Sequence, residues 1–144
     1  MGLLTALEIN SSALDAQRLR IETLSSNLAN AAVTKTAGGG PYRRKEVVFE
    51  AAPPPVSFEE ALTNAQERQL TRISARVVDD NTPFVSRYEP NHPDADAKGY
   101  VQYPNVNPVE EMVNLVESAR AFEASVAAIN AVKDMAQKSI DLGR

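Results

Sequence analysis

Residues 107–143 read NPVEEMVNLVESARAFEASVAAINAVKDMAQKSIDLG, and this run decides the fold. Leu115, Phe122, Ile129 and Ala136 recur every seven residues. Ala119, Val126 and Ile140 fill a companion seam, with Lys133 as its one polar member. Asn107 suits an N-cap, Pro108 the first helical position, and Glu110 completes a capping box. Lys138 is expected in the last turn and Gly143 just beyond it. With no Gly or Pro inside, the pattern predicts one helix of roughly 50 Å. Apolar heptads sustained over that length point to a coiled coil rather than a short globular helix. Small residues such as Ala121, Ala124, Ala127, Ala128 and Ala131 let helices approach on several sides. This helix expects more than one partner.

Working back along the chain, KGYVQYPNVNP (98–108) sets two tyrosines and two prolines before that helix. A helix start needs only Asn107, Pro108 and Glu110. Pro104 drives Tyr103 out of the helical region, and Pro108 does the same to Asn107. Tyr100 and Tyr103 can bury their rings while their hydroxyls stay hydrogen-bonded. Tyr100, Tyr103, Pro104, Asn107 and Pro108 therefore read as a rigid elbow that fixes the direction in which the helix leaves. The plainer reading is a capped loop.

A second heptad lies at the other end. Leu7, Leu14, Ile21 and Leu28 recur every seven residues, with Leu3 and Leu24 on the adjoining seam and Asn10 and Gln17 as its polar members. No Gly or Pro interrupts residues 3–30, so a helix of roughly 40 Å is expected. The candidate packing residues are thus Leu7, Leu14, Ile21, Leu24, Leu28, Leu115, Phe122, Val126, Ile129 and Ile140.

Between the helices, TKTAGGGP (34–41) reads as a flexible break and residues 42–50 as a strand. AAPPPVS (51–57) is a stiff spacer, and Ser57-Phe58-Glu59-Glu60 opens a short helix. Ile73, Ala75 and Val77 alternate as a strand, Asp79-Asp80-Asn81 turn, and Phe84–Tyr88 form another short strand. EPNHPDADAKG (89–99) is a polar loop. The expected fold is mainly α with a small β-rich insert: an N-terminal helix region 1–36, an insert 37–104 of short strands and loops, and a C-terminal helix region 105–144. The two terminal helices are expected to pair as a coiled coil in one core domain.

The composition narrows the function. A chain of 144 residues has the size of one domain, and its net charge of -4 argues against bulk nucleic-acid binding, which needs a cationic face. Without Cys there is no disulfide or thiolate chemistry. The N-terminus lacks the pattern of a cleavable secretory signal, and no apolar run approaches the ~20 residues of a membrane span.

Catalytic constellations are weak. His92 is the lone histidine, and with Asp94 and Asp96 it sits in a proline-framed turn without ligand spacing; a loop held by Asx-type turns explains the residues better than a metal. Gly38-Gly39-Gly40 lacks the Lys-Ser/Thr of a phosphate loop. Arg43-Arg44-Lys45 reads as a solvated strand edge rather than a stacking platform for nucleic acid. Glu110 and Glu111 favour the helix dipole and need no catalytic role. Neither enzyme nor cofactor is expected.

Four stretches carry a resemblance: LSSNLANAAVTKT (24–36), GPYRRKEVVFE (40–50), YEPNHPDADAKGYVQYPNVNPVEEMVNLVESARAFEASV (88–126) and KDMAQKSIDLGR (133–144). Asn27, Leu28, Ala29 and Asn30 fall on the Ser-x-Asn-Leu-Ala-Asn pattern of the axial proteins of the bacterial flagellum, and the chain resembles the proximal rod members of that family nearly throughout. The likeness is weakest over 51–70. Phe122 stands where Tyr is common, and Ser125 where Asn is common. The resemblance implies a structural subunit of the basal-body rod, a hollow helical driveshaft crossing the periplasm, exported through the flagellar type III apparatus without a cleavable signal. It implies as neighbours copies of the chain itself, the rod proteins FlgB, FlgF and FlgG, and the adaptor FliE. The alternative class is a soluble coiled-coil adaptor or a secreted interaction protein.

Overall fold

The computed structural model describes residues 3–52 and 72–142. Most of the proline spacer and the short helix expected to open at Ser57 lie outside the described residues. Helix α1 runs Leu3–Ala29, strands β1 and β2 run Lys45–Ala52 and Arg72–Asp79, strands β3 and β4 run Val85–Tyr88 and Tyr100–Tyr103, and helix α2 runs Pro108–Leu142. Two long helices with small two-stranded sheets between them are thus the architecture. One sheet pairs β1 with β2, the other β3 with β4.

The helix limits follow local chemistry. Asn107 Oδ1 accepts the Val109 N–H at 3.2 Å, capping α2 ahead of Pro108. Because α2 continues through Leu142, its last turn carries no basic residue, and Lys138 lies just before that turn rather than in it. Beyond α1 the triglycine lies in a hydrogen-bonded turn. Thr36 N–H donates to the Gly40 carbonyl at 2.8 Å and Gly39 N–H to the Thr36 carbonyl at 2.9 Å. Gly39 and Gly40 both have positive φ there, which a side chain would oppose.

Two strands differ from the sequence reading. β1 begins at Lys45 rather than residue 42, because residues 42–44 bond elsewhere: Tyr42 N–H to the Val33 carbonyl and Arg44 N–H to Asn105 Oδ1. Strand β4 was not expected at all. Tyr100–Tyr103 pair antiparallel with β3, Val85 opposite Tyr103 and Tyr88 opposite Tyr100. The alternation Tyr-Val-Gln-Tyr is a strand signal that four residues and the following proline obscured.

The chain divides into two compact units. One comprises Met1–Leu19, Val48–Arg76 and Ser118–Arg144; the other comprises Arg20–Val47 and Val77–Glu117. Among the described residues the buried side chains are more often polar than apolar: Ser12, Thr23, Asn27, Glu111 and Ser118 against Ala16, Leu24, Val101 and Pro104. Among the described residues much apolar surface stays outside this interior.

Candidate functional site

In the second unit a polar junction ties the end of α1 to the start of β1 and the first turn of α2. Asn27 is wholly buried. Its Nδ2 donates to the Lys45 carbonyl at 2.7 Å and to Glu111 Oε2 at 3.0 Å. Its Oδ1 accepts the Lys45 N–H at 2.9 Å and the Tyr42 hydroxyl at 3.0 Å. One amide thereby uses both donors and both acceptor positions, so no other side chain replaces it without orphaning a group.

Glu111 faces Asn27 on one oxygen and Arg44 on the other, with Arg44 Nε donating to Glu111 Oε1 at 2.8 Å. Arg44 also reaches Asp80 Oδ2 at 3.4 Å. Burial lowers the affinity of Arg44 for its proton, but the hydrogen bond and charge of Glu111 outweigh it, and the guanidinium is held more firmly than usual. The Thr82 hydroxyl and backbone N–H, at 2.6 and 2.8 Å from Asp80 Oδ1, hold the Asp80 carboxyl below its ordinary range, and Arg44 adds to them. Arg43 donates to the Asp80 carbonyl and lies over the Phe84 ring, 4.6 Å from its centroid.

Arg44 and Glu111 correct the sequence reading. The first is not a solvated strand edge, and the second does more than favour a helix dipole. The available signal was an excess: capping asked for one glutamate and the sequence offered two.

The elbow residues divide. The Tyr103 hydroxyl donates to Glu89 Oε2 at 2.8 Å, and that bond lifts its proton affinity above the ordinary tyrosine value. Arg87 stacks over the Tyr103 ring at 5.1 Å. Pro104 is buried, while Asn107 and Pro108 are exposed at the helix start. Tyr100 is 45% exposed, its ring packed edge-on against Tyr88 at 5.3 Å rather than buried as expected. Gly99 has φ +81, and a Cβ there would stand 2.9 Å from the Tyr88 ring. A glycine is required at that turn. His92 takes the Asp94 N–H on Nδ1 at 3.1 Å, a turn-forming bond, and no group of three or more metal-ligating side chains occurs among the described residues.

The seam residues lie as follows. Leu7, Leu14, Ile21 and Leu28 are half-buried and Leu24 is buried; on α2, Leu115, Phe122 and Ile129 are half-buried. The companion seam of α2 is open: Val126 is 38% and Ile140 62% exposed, continuing a line from Met112 at 47%. The most protected line along α2 is instead Glu111, Ser118, Ser125 and Val132. In the first unit, Ser12 Oγ accepts the Ile73 N–H at 3.1 Å, joining α1 to β2. Beside it Ala13, Ala16, Phe49, Ala51 and Ile73 wall a notch of about 210 Å³.

Two family models match the chain. "Flagella basal body rod protein" covers residues 7–35 and "Flagellar basal body rod FlgEFG protein C-terminal" covers residues 97–142. Among curated relatives, the flagellar basal-body rod protein FlgC of Bacillus subtilis is 40% identical over 96% of this chain and 97% of its own length. FlgC of Borreliella burgdorferi is 39% identical over 97% of each chain. FlgC of Escherichia coli O6:H1 is 40% identical over the whole of both. No helix among the described residues is long and apolar enough to cross a membrane. End-to-end similarity of this degree, with both rod models on the two helices, leaves one conclusion: the chain belongs to the FlgC family of flagellar basal-body rod proteins, structural subunits of the rod.

Proposed function

We propose that the chain builds the proximal rod by packing its terminal helices against copies of itself and against related rod proteins, with coiled-coil contacts on more than one seam. The exposed line Met112, Val126 and Ile140 carries this reading. One line of α2 is sheltered within the chain, and a second apolar line at heptad spacing is left in water, which a lone soluble protein has no reason to keep. Contacts that do not close into a ring extend as a helical tube, and continuous knobs-into-holes seams resist twist and bending as a driveshaft must.

The candidate packing residues then divide between seams: Leu115, Phe122 and Ile129 inside the subunit, Val126 and Ile140 between subunits. The elbow at Tyr103 and Pro104 sets the angle between insert and helix, and the residues from 105 to 144 act with those from 1 to 36 as one helical core around the export channel. FlgB, FlgF and FlgG are the neighbours of matching kind, FliE the adaptor at the base, and the flagellar type III apparatus the route to the periplasm. The test is to delete the gene in its own host and image purified basal bodies. Loss of the rod, with rescue by the intact chain, supports the proposal; normal rods without the chain overturn it.

A further inference from the structure

Tyr100 is the elbow residue that the rod reading leaves unused. Its ring is 45% exposed and stands edge-on to Tyr88, and the glycine at position 99 leaves the room that the Tyr88 ring occupies. Tyr88 pairs with Tyr100 and Ser86 with Gln102 across the β3–β4 ribbon, so Tyr100 and Gln102 share one of its faces. Both border a cavity of about 370 Å³ that Lys35, Asp94 and Asp96 also line. The four polar side chains are exposed and open to a ligand. Thr34 Oγ1 donates to Asp94 Oδ2 at 2.7 Å, and the Lys98 and Tyr100 N–H groups donate to Asp96 Oδ1 at 2.8 and 2.9 Å. Each carboxylate is thus fixed through one oxygen, which sets the other in position for an incoming donor.

The mixture of groups selects among ligands. Two carboxylates repel phosphate and other anions, and Lys35 opposes a cation such as an arginine side chain. A proline-rich or apolar peptide would gain from the tyrosines but would leave the polar side chains desolvated and unmatched. A sugar uses all of them. Its hydroxyls both donate and accept, so they suit carboxylates and an ammonium together, and the Gln102 amide offers one group of each kind. Where those hydroxyls are equatorial, the C–H face of a pyranose ring is flat, and its slightly positive hydrogens suit the negative face of an aromatic ring. We propose that this cavity is a carbohydrate site. It takes a gluco-configured pyranose unit with its C–H face against the Tyr100 ring and its hydroxyls on Asp94, Asp96, Gln102 and Lys35. The assignment does not depend on the rod reading, and it gives the exposed tyrosine a partner that no helix seam supplies.

The test is an amide NMR titration of the full chain with cellotriose, with chitotriose and, separately, with arginine amide. At least one of the two sugars is expected to shift the amides of Gly40, Ala95 and Gln102 together, with a dissociation constant on the order of 1 mM, as befits a small open site. Tyr100→Phe keeps the ring and should bind within about twofold of the unaltered chain, whereas Tyr100→Leu should weaken binding by about tenfold. Gln102→Ala alters an exposed side chain and should weaken binding by about fivefold, so it decides the matter if Tyr100→Leu disturbs the fold. The inference is overturned if neither sugar shifts these amides, or if the shifts fall elsewhere on the chain. It is also overturned if folded Tyr100→Leu or Gln102→Ala binds as the unaltered chain does, if Tyr100→Phe loses binding, or if arginine amide shifts these amides and the sugars do not.

Discussion

Arg44 Nε lies 2.8 Å from Glu111 Oε1, yet the two partners are unequally placed: the Glu111 side chain is 1% exposed and that of Arg44 23%. A buried pair of this kind adds little net stability, because desolvation offsets attraction. Its effect is positional, holding the first turn of α2 to the start of β1 by way of Asn27.

The inequality makes the pair's halves respond differently. Arg44→Met strands a buried carboxylate and should cost about 3–5 kcal/mol. Glu111→Gln leaves Arg44 with water and Asp80 and should cost about 1–2 kcal/mol. Urea unfolding of the full chain measures both. Equal losses would mean that Glu111 reaches water.

Asp80 gives the junction an acid limit. Its folded-state proton affinity is depressed by Thr82 first and Arg44 second. A depressed carboxylate contributes stability that is complete above its ordinary value of 3.8 and is lost as pH falls through the lower folded value. Thr82→Val should therefore flatten the decline of stability below that point and leave neutral stability within about 1 kcal/mol. An unchanged acid profile would contradict this.

Charge placed on the two kinds of seam should separate folding from assembly. Ile21→Asp introduces a carboxylate at a half-buried position and should destabilise the isolated chain by a few kcal/mol, on the order of the cost of burying an unmatched polar group. Val126→Asp alters an exposed residue and should shift it by under about 0.5 kcal/mol, while preventing rod formation in cells. Thermal unfolding with motility on soft agar distinguishes them. Normal swimming by Val126→Asp would place that seam in solvent.

The elbow is tested by Tyr103→Ala with Pro104→Gly. The pair removes the hydroxyl bound to Glu89 and the buried ring that follows β4. Helix content by far-UV circular dichroism should stay nearly constant while rods fail to assemble. Rods of normal length from the double variant would reduce the stretch to an ordinary helix start.

The helices were legible because their signals are local and repeated: heptads, an N-cap at Asn107, proline at position 108. The junction was not, because Asn27, Arg44 and Glu111 lie far apart in the chain and each has an ordinary reading alone. Arg44 sits in a basic triplet that suits a surface strand, and Glu111 sits where a helix dipole welcomes any acid. Only the hydrogen bonds that meet at the buried Asn27 and Glu111 show that these residues share one network. Strand β4 was hidden for a different reason, since four residues against a proline fall at the lower limit of a strand pattern. Which line of α2 faces inward was also beyond the sequence: two heptad lines of similar character run side by side, and periodicity alone does not rank them.

The open seam of α2 is proposed as an interface between subunits. The chain has no cysteine, so Val126→Cys supplies a unique thiol on that seam. Its rate of maleimide labelling is to be measured in the isolated chain and in intact basal bodies purified from the same cells. Rapid labelling of the isolated chain and strong protection in the basal body, lost again when the rod is dissociated, are the expected results. Equal labelling in both, with the chain demonstrably present in the rod, would contradict the proposal.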